Sequence, residues 1–173
     1  MNPDELRTVA LDVRSQKFGF VVFDGSRQML DWGVRSYGSA GQKLNEEVKS
    51  RVKDLLDMFV PGLLVLRVPN LDYLQGDKRI ERVVKTLHGE AKLRSIPVRV
   101  LSRPIIKRAF VTCGLNSKYE IASWLRTRFP DLSWNILKKR KPWHSESYST
   151  SIFDAAAAGA VHLGIYENYA TNP

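Results

Sequence analysis

Apolar positions along this chain change period several times, and each change marks a new element. Thr8-Val9-Ala10-Leu11 is a short apolar run that ends at Asp12, and Phe18 to Phe23 is a second. The polar link Val13-Arg14-Ser15-Gln16-Lys17 suits a hairpin connection between them. Asp24-Gly25-Ser26 is a turn signal, a third strand covers Met29 to Ser36, and Gly38-Ser39-Ala40-Gly41 is a loop. Leu44, Val48, Val52, Leu55, Leu56 and Phe59 then follow helical spacing, and Pro61-Gly62 stops that helix. Leu63-Leu64-Val65-Leu66 is a continuous apolar run after a helix, which reads as a buried, parallel central strand. Ile80, Val84, Leu87 and Ala91 give a second helical face, and Pro97 to Leu101 a further short strand. Ser117-Lys118-Tyr119-Glu120 has the capping-box pattern, with Ile121, Leu125 and Phe129 following at four-residue spacing. A last helix opens at Ser151-Ile152-Phe153-Asp154 and runs through an Ala-rich stretch to about Tyr166. The order is β-β-β-α-β-α-β-α-α. It predicts an α/β fold with a mixed five-stranded sheet, three antiparallel strands and then parallel ones, flanked by helices.

Composition narrows the class. The 173 residues are 43% hydrophobic and 26% charged, the balance of a globular chain, and one domain over residues 1–173 is expected. The single Cys113 excludes an internal disulfide and a multi-cysteine zinc site. Met1-Asn2-Pro3-Asp4-Glu5 is acidic and polar, unlike a secretory signal. No apolar run approaches the roughly 20 residues of a membrane-spanning helix. A cytoplasmic protein with no membrane partner is the expectation.

Charge changes the picture more. The chain carries 27 Lys+Arg against 18 Asp+Glu, a net +9. Between Arg103 and Lys141 lie Arg103, Lys107, Arg108, Lys118, Arg126, Arg128, Lys138, Lys139, Arg140 and Lys141, opposed only by Glu120 and Asp131. Clustered cations attract polyanions, and nucleic acid is the commonest, because each neutralised phosphate releases counterions. Phe110, Tyr119, Trp124, Phe129, Trp134 and Trp143 interleave with them, where aromatics can stack on bases. For Trp124 and Phe129 the core of an amphipathic helix is the better reading. Lys138-Lys139-Arg140-Lys141, before Pro142, reads as a basic loop, either contacting nucleic acid or merely solvated.

Two acidic residues sit where a carboxylate is costly. Asp12 ends an apolar strand at the centre of the sheet. Asp154 begins a helix whose small residues, Ala155 to Ala160, allow close approach to the sheet. Together they could converge on a divalent metal at the sheet edge, the arrangement that metal-assisted phosphodiester cleavage needs. Spacing alone leaves two plainer readings open: Asp12 starts the hairpin, and Asp154 is the acidic member of a capping box.

The chain resembles the RuvC family of Holliday-junction resolvases, within the ribonuclease H-like superfamily, over nearly its whole length. Val9-Ala10-Leu11-Asp12-Val13-Arg14-Ser15 with Gly19-Phe20-Val21-Val22 is similar to the family's opening strand and hairpin. Phe59 to Leu66 resembles its second catalytic strand. Lys107-Arg108-Ala109, Gly114 and Ser117-Lys118 fall on a basic motif, and Phe153 to His162 resembles the closing aspartate-alanine helix. The resemblance implies a homodimer that binds branched DNA and cuts phosphodiesters with Mg2+ or Mn2+. Asp12 and Asp154 match the first and last of about four metal-binding, catalytic positions. It also implies that Lys107, Arg108 and Lys118 face DNA phosphates. A helix N-terminus at Ser117 favours an anion there independently. The same Lys107 to Lys118 stretch favours this branch over the anti-resolvase-like ribosomal RNA processing proteins.

The departures bear on activity. Arg67 stands where the family has a glutamate, Ser151 where it has Asp or His, and Asn70 where it has an aromatic, for which Tyr73 is a candidate substitute. An Arg in place of a bridging Glu changes the local charge by two units and opposes cation binding. Arg67 then either pairs with Asp12 or Asp154, or binds a phosphate bidentately. His144, Glu146 and Asp72 are further candidate ligands, each also readable as a loop residue, and His162 reads as a packed or surface His. Two functions follow: a metal-dependent endonuclease with an altered site, or a RuvC-like DNA-binding protein that has lost its metal site. A scaffold without nucleic acid is a third, which the basic segment argues against.

Overall fold

The computed structural model describes residues 6–72, 76–134 and 149–166. Three strands come first: β1 (Arg7–Val13), β2 (Lys17–Asp24) and β3 (Gln28–Ser36). Helix α1 (Gly41–Phe59) leads into β4 (Leu63–Val68), and α2 (Lys78–Leu93) into β5 (Val98–Ser102). Then come α3 (Arg103–Val111), α4 (Lys118–Arg128), a 3-10 turn (Pro130–Trp134) and α5 (Thr150–His162). The sheet order is β3-β2-β1-β4-β5. β1 pairs antiparallel with β2 and parallel with β4; β3 extends the antiparallel side and β5 the parallel side. This is the mixed sheet that the element order predicts.

Each face of the sheet carries its own helices. Alternation sends Val9, Leu11, Phe20, Val22, Leu64 and Leu66 to one face, where α1 and α2 lay down Leu44, Val48, Val52, Val83 and Leu87. Burying each such side chain contributes about 1.5–3 kcal/mol. Ala10, Val21, Phe23 and Val65 point the other way, against α5, Phe110 of α3 and Leu125 of α4. Helix α5 lies across β2, β1 and β4 and is buried from Thr150 to Ala160 apart from Asp154. Its small residues permit that approach. A Cβ at Gly19 would come within 2.2 Å of the Ser151 carbonyl oxygen, and one at Gly159 within 2.1 Å of the Phe23 ring.

Some boundaries differ from the sequence reading. Helix α3 was not anticipated. Only Ile106 and Phe110 of it are buried, one turn apart, too short a stripe to show periodicity, and Pro104 reads as a breaker although it suits a first helical turn. Helix α5 ends at His162 rather than Tyr166, and Gly164 turns the chain with a φ of 66°. The capping-box reading of Asp154 fails, because the N-cap is Ser149 and makes no side-chain cap bond. Asp12 does not open the hairpin; it lies within β1 and is fully buried. The capping box at Ser117 and Glu120 is present as expected. No described helix is long and apolar enough to cross a membrane.

Candidate functional site

Asp12 and Arg67 are direct register partners on β1 and β4. Strand alternation puts both on the α5 face, beside Ala10 and Val65, at the carboxyl end of the two central strands. Asp12 Oδ1 accepts a hydrogen bond from Arg67 Nη1 at 2.6 Å. Its Oδ2 accepts from Arg14 Nε at 2.6 Å and from Ser151 Oγ at 2.9 Å. Asp154 stands one turn into α5, and its Oδ2 accepts from Arg14 Nη2 at 2.8 Å and from Lys118 Nζ at 3.1 Å. Arg67 Nη2 lies 3.6 Å from the same oxygen. Arg14 and Arg67 therefore each bridge both aspartates.

The arrangement is an ion cage, buried at Asp12 and Arg67 and part-exposed at Arg14 and Lys118. The Asp12 side chain is fully buried, that of Arg67 is 8% exposed and that of Asp154 13%. Three cations against two carboxylates leave the cage one positive charge in excess. Burial raises the desolvation cost of Asp12 and Arg67 most, so removing either one strands the other in low dielectric.

The hairpin turn that carries Arg14 is fastened from below. Tyr37 Oη donates to the carbonyls of Arg14 and Lys17, the latter at 2.8 Å. Arg79, in the first turn of α2, donates to the Ser15 carbonyl and to Tyr37 O at 3.2 Å. Burial pushes the Tyr37 phenol far above its ordinary pKa, so it stays a donor.

Beside the cage opens a cavity of about 130 Å³. Arg67, Arg103, Lys107, Lys118 and Asp154 bring their charges to its wall, with the N-terminus of α4 at Ser117. Lys107 and Lys118 both line this cavity. Arg108 does not join them; it is exposed, one position further round α3. Of the interleaved aromatics, Phe110 and Phe129 are buried, and Trp124 packs edge-on against Phe110 at 5.5 Å, all core roles. Tyr119 is 41% exposed. Asp72 is exposed and joins no metal-binding group among the described residues. His162 is half-buried on α5, and burial together with the Arg99 charge pushes its imidazole below the ordinary value. Lys138, Lys139, Arg140, Lys141, Trp143, His144, Glu146 and Tyr73 lie outside the described residues, as does the side chain of Trp134.

Arg14 was not singled out in the sequence, and Arg103 was read only as part of the basic segment. Arg14 follows Asp12 by two positions, the spacing of one strand face, which is the signal that finds it. Arg103 opens the helix that periodicity did not reveal.

No family model matches the chain, and no curated protein sequence matches it. Solved structures do. RuvC from Thermus thermophilus in complex with a Holliday junction substrate superposes with a TM-score of 0.68 at 16% identity, covering 95% of this chain and 97% of that one. A second Thermus thermophilus RuvC structure gives 0.67 at 17%, covering 94% and 96%. This chain has the RuvC fold. The yeast mitochondrial Holliday junction resolvase shares it, with a TM-score of 0.62 at 12% identity over 96% of this chain and 84% of that one.

Within this RuvC fold the residues present do not fit Mg2+ or Mn2+. Such ions take several oxygen ligands, largely carboxylates and water. Both Asp12 oxygens and Asp154 Oδ2 are already engaged by cationic donors. Arg67 and Ser151 supply a guanidinium and a hydroxyl where further carboxylates would be needed. Among the described residues no three His, Cys, Asp or Glu side chains are grouped to hold an ion.

Proposed function

We propose that this chain is a RuvC-fold DNA-binding protein that recognises branched DNA and has exchanged its metal site for an arginine cage. The observation that carries the reading is the pair of guanidinium bridges, Arg14 and Arg67, between Asp12 and Asp154. A guanidinium in that position supplies the positive charge that a divalent ion would supply, without activating water. Metal-assisted hydrolysis needs an ion that lowers the pKa of bound water, and in the cage both Asp12 oxygens and Asp154 Oδ2 are already taken by cationic donors.

Binding survives that exchange. The cavity beside the cage has Arg67, Arg103, Lys107 and Lys118 against Asp154 on a wall completed by Ile106, Ile121 and Phe153, and that excess of cations suits a phosphate rather than a metal ion. The likeness to a RuvC solved with a Holliday junction substrate supports a branched duplex as ligand. In this reading the aspartates are positioning residues. They hold the cations of the cleft in place, and the cations meet the phosphates.

The test is a gel shift on a synthetic four-way junction and on a linear duplex of the same sequence. The wild-type chain is expected to bind the junction more tightly. Lys107→Gln with Lys118→Gln is expected to weaken binding and to lower the slope of log K against log salt by about 2, since each phosphate contact contributes roughly 0.9. Unchanged affinity and slope would contradict the cleft assignment.

A further inference from the structure

The cavity beside the cage is graded in character. Arg103, Lys107, Asn116 and Ser117 are exposed and line its mouth. Ile106, Phe153 and Ala157, none more than 6% exposed, line its floor. Ile121 of α4 is half-buried and lines it as well. Arg103 and Lys107 have no carboxylate within ion-pair distance among the described residues, whereas Lys118 is held by Asp154 at 3.1 Å. The cations of the mouth suit a phosphate. The floor does not: an anion pressed against Ile106, Phe153 and Ala157 loses its water and gains no charged donor.

Thr150, the first residue of α5, is a second and independent sign. Only 6% exposed, it lines the same cavity. Its hydroxyl has no hydrogen-bond partner among the described residues. Nor is that hydroxyl sealed in: the described side-chain atoms that are both sealed and unpartnered are Arg7 Nε and Asn45 Oδ1. It therefore keeps an open side, and the cavity is the opening it lines. Buried polar groups are hydrogen-bonded in the great majority of cases, so this one marks a place for a ligand's polar edge. A hydroxyl both donates and accepts, so it serves an edge of either kind.

A nucleotide matches this wall. Its base has two apolar faces and a polar edge, and its phosphate hangs a sugar's length away. The cavity volume of about 130 Å³ is an order of magnitude above the ~10–15 Å³ that a single water needs. It admits one planar ring and leaves a duplex outside. We propose that the cavity takes a single unstacked nucleobase from a nucleic-acid strand, its faces against Ile106, Phe153 and Ala157, its edge on Thr150, and its phosphate on Arg103 and Lys107 at the mouth. The inference rests on the nucleic-acid reading of the cleft and names the unit that enters it. A branch point supplies such a base most readily, because extruding an unpaired base costs less than breaking a pair.

The experiment uses a four-way junction with one unpaired nucleotide at the branch point, carrying either 2-aminopurine or an abasic sugar. 2-Aminopurine is quenched by stacking and brightens when it leaves the stack. The wild-type chain is expected to bind the 2-aminopurine junction about tenfold more tightly than the abasic one, and the probe is expected to brighten on binding. Ala157→Leu and Ile121→Trp fill the cavity from α5 and from α4 without changing charge, and each is expected to abolish both the preference and the brightening. Thermal melts show which filled variant is folded, and the wild-type comparison needs neither. Equal wild-type affinity for the two junctions, an unchanged probe, or a preference that survives in a folded filled variant overturns the base pocket. Where that happens while Lys107→Gln/Lys118→Gln still weakens binding, the cleft reading stands and the pocket falls. Free 2-aminopurine nucleoside monophosphate offers the same chemistry from solution. At equal concentration it is expected to leave the bound junction in place, and displacement by it overturns the strand as the source. A wild-type chain that binds neither junction removes both readings.

Discussion

Replacing Asp12 by Asn removes the charge that Arg67 and Arg14 both face, and it does so in a fully buried position. In a site crowded with carboxylates the same change relieves repulsion and tends to stabilise. Here it strands two guanidinium groups, and breaking a buried ion pair costs about 3–5 kcal/mol. Asp12→Asn is therefore expected to lower the urea midpoint of the pure protein substantially. A midpoint that stays or rises would contradict the cage. At this scale much was legible in the sequence. Asp12 and Asp154 stood out as costly carboxylates, and pairing with them was one of two readings open to Arg67. Arg14 was hidden because it sits in what the pattern marks as a polar hairpin link, and only the β1 face alternation relates it to Asp12. Nothing in the sequence alone reveals that Ser151 Oγ turns away from the helix end to donate to Asp12.

Elements were legible wherever a period lasted long enough. Helices α1 and α2 show three or four turns of buried positions, and β4 is a continuous apolar run between breakers. Helix α3 escaped because a single buried turn, Ile106 and Phe110, sets no period. The tightest contact between elements is that of α5 on β2, which sets where Ser151 and Asp154 stand relative to Asp12. Gly19→Ala forces a methyl group into the Ser151 backbone, and overpacking of that kind costs about 1–3 kcal/mol or more. Gly89→Ala, on an open helix face, is expected to stabilise by up to about 1 kcal/mol through helix propensity. Thermal melts of the two variants should move in opposite directions, and a harmless Gly19→Ala would mean that α5 is not seated as described.

On the scale of the whole molecule, the β-β-β-α-β-α-β order alone dictates the mixed sheet, because short links give antiparallel neighbours and helical crossovers give parallel ones. The observed pairing of β1 with β4 then brings Asp12 and Arg67 into register. Lys107 and Lys118 reach the same point from α3 and α4. What composition could not convey is the arrangement at the centre: the fold matches that of a RuvC solved with a Holliday junction substrate, while two arginines bridge the two aspartates. The central claim is binding without metal-assisted cleavage. It is tested most directly by incubating the pure protein with an end-labelled four-way junction at matched ionic strength, with Mg2+, with Mn2+ and with chelator, and reading bound fraction and cut product together. The account predicts a bound junction in all three conditions and cut product in none. Metal-dependent cut product at the branch point would contradict it.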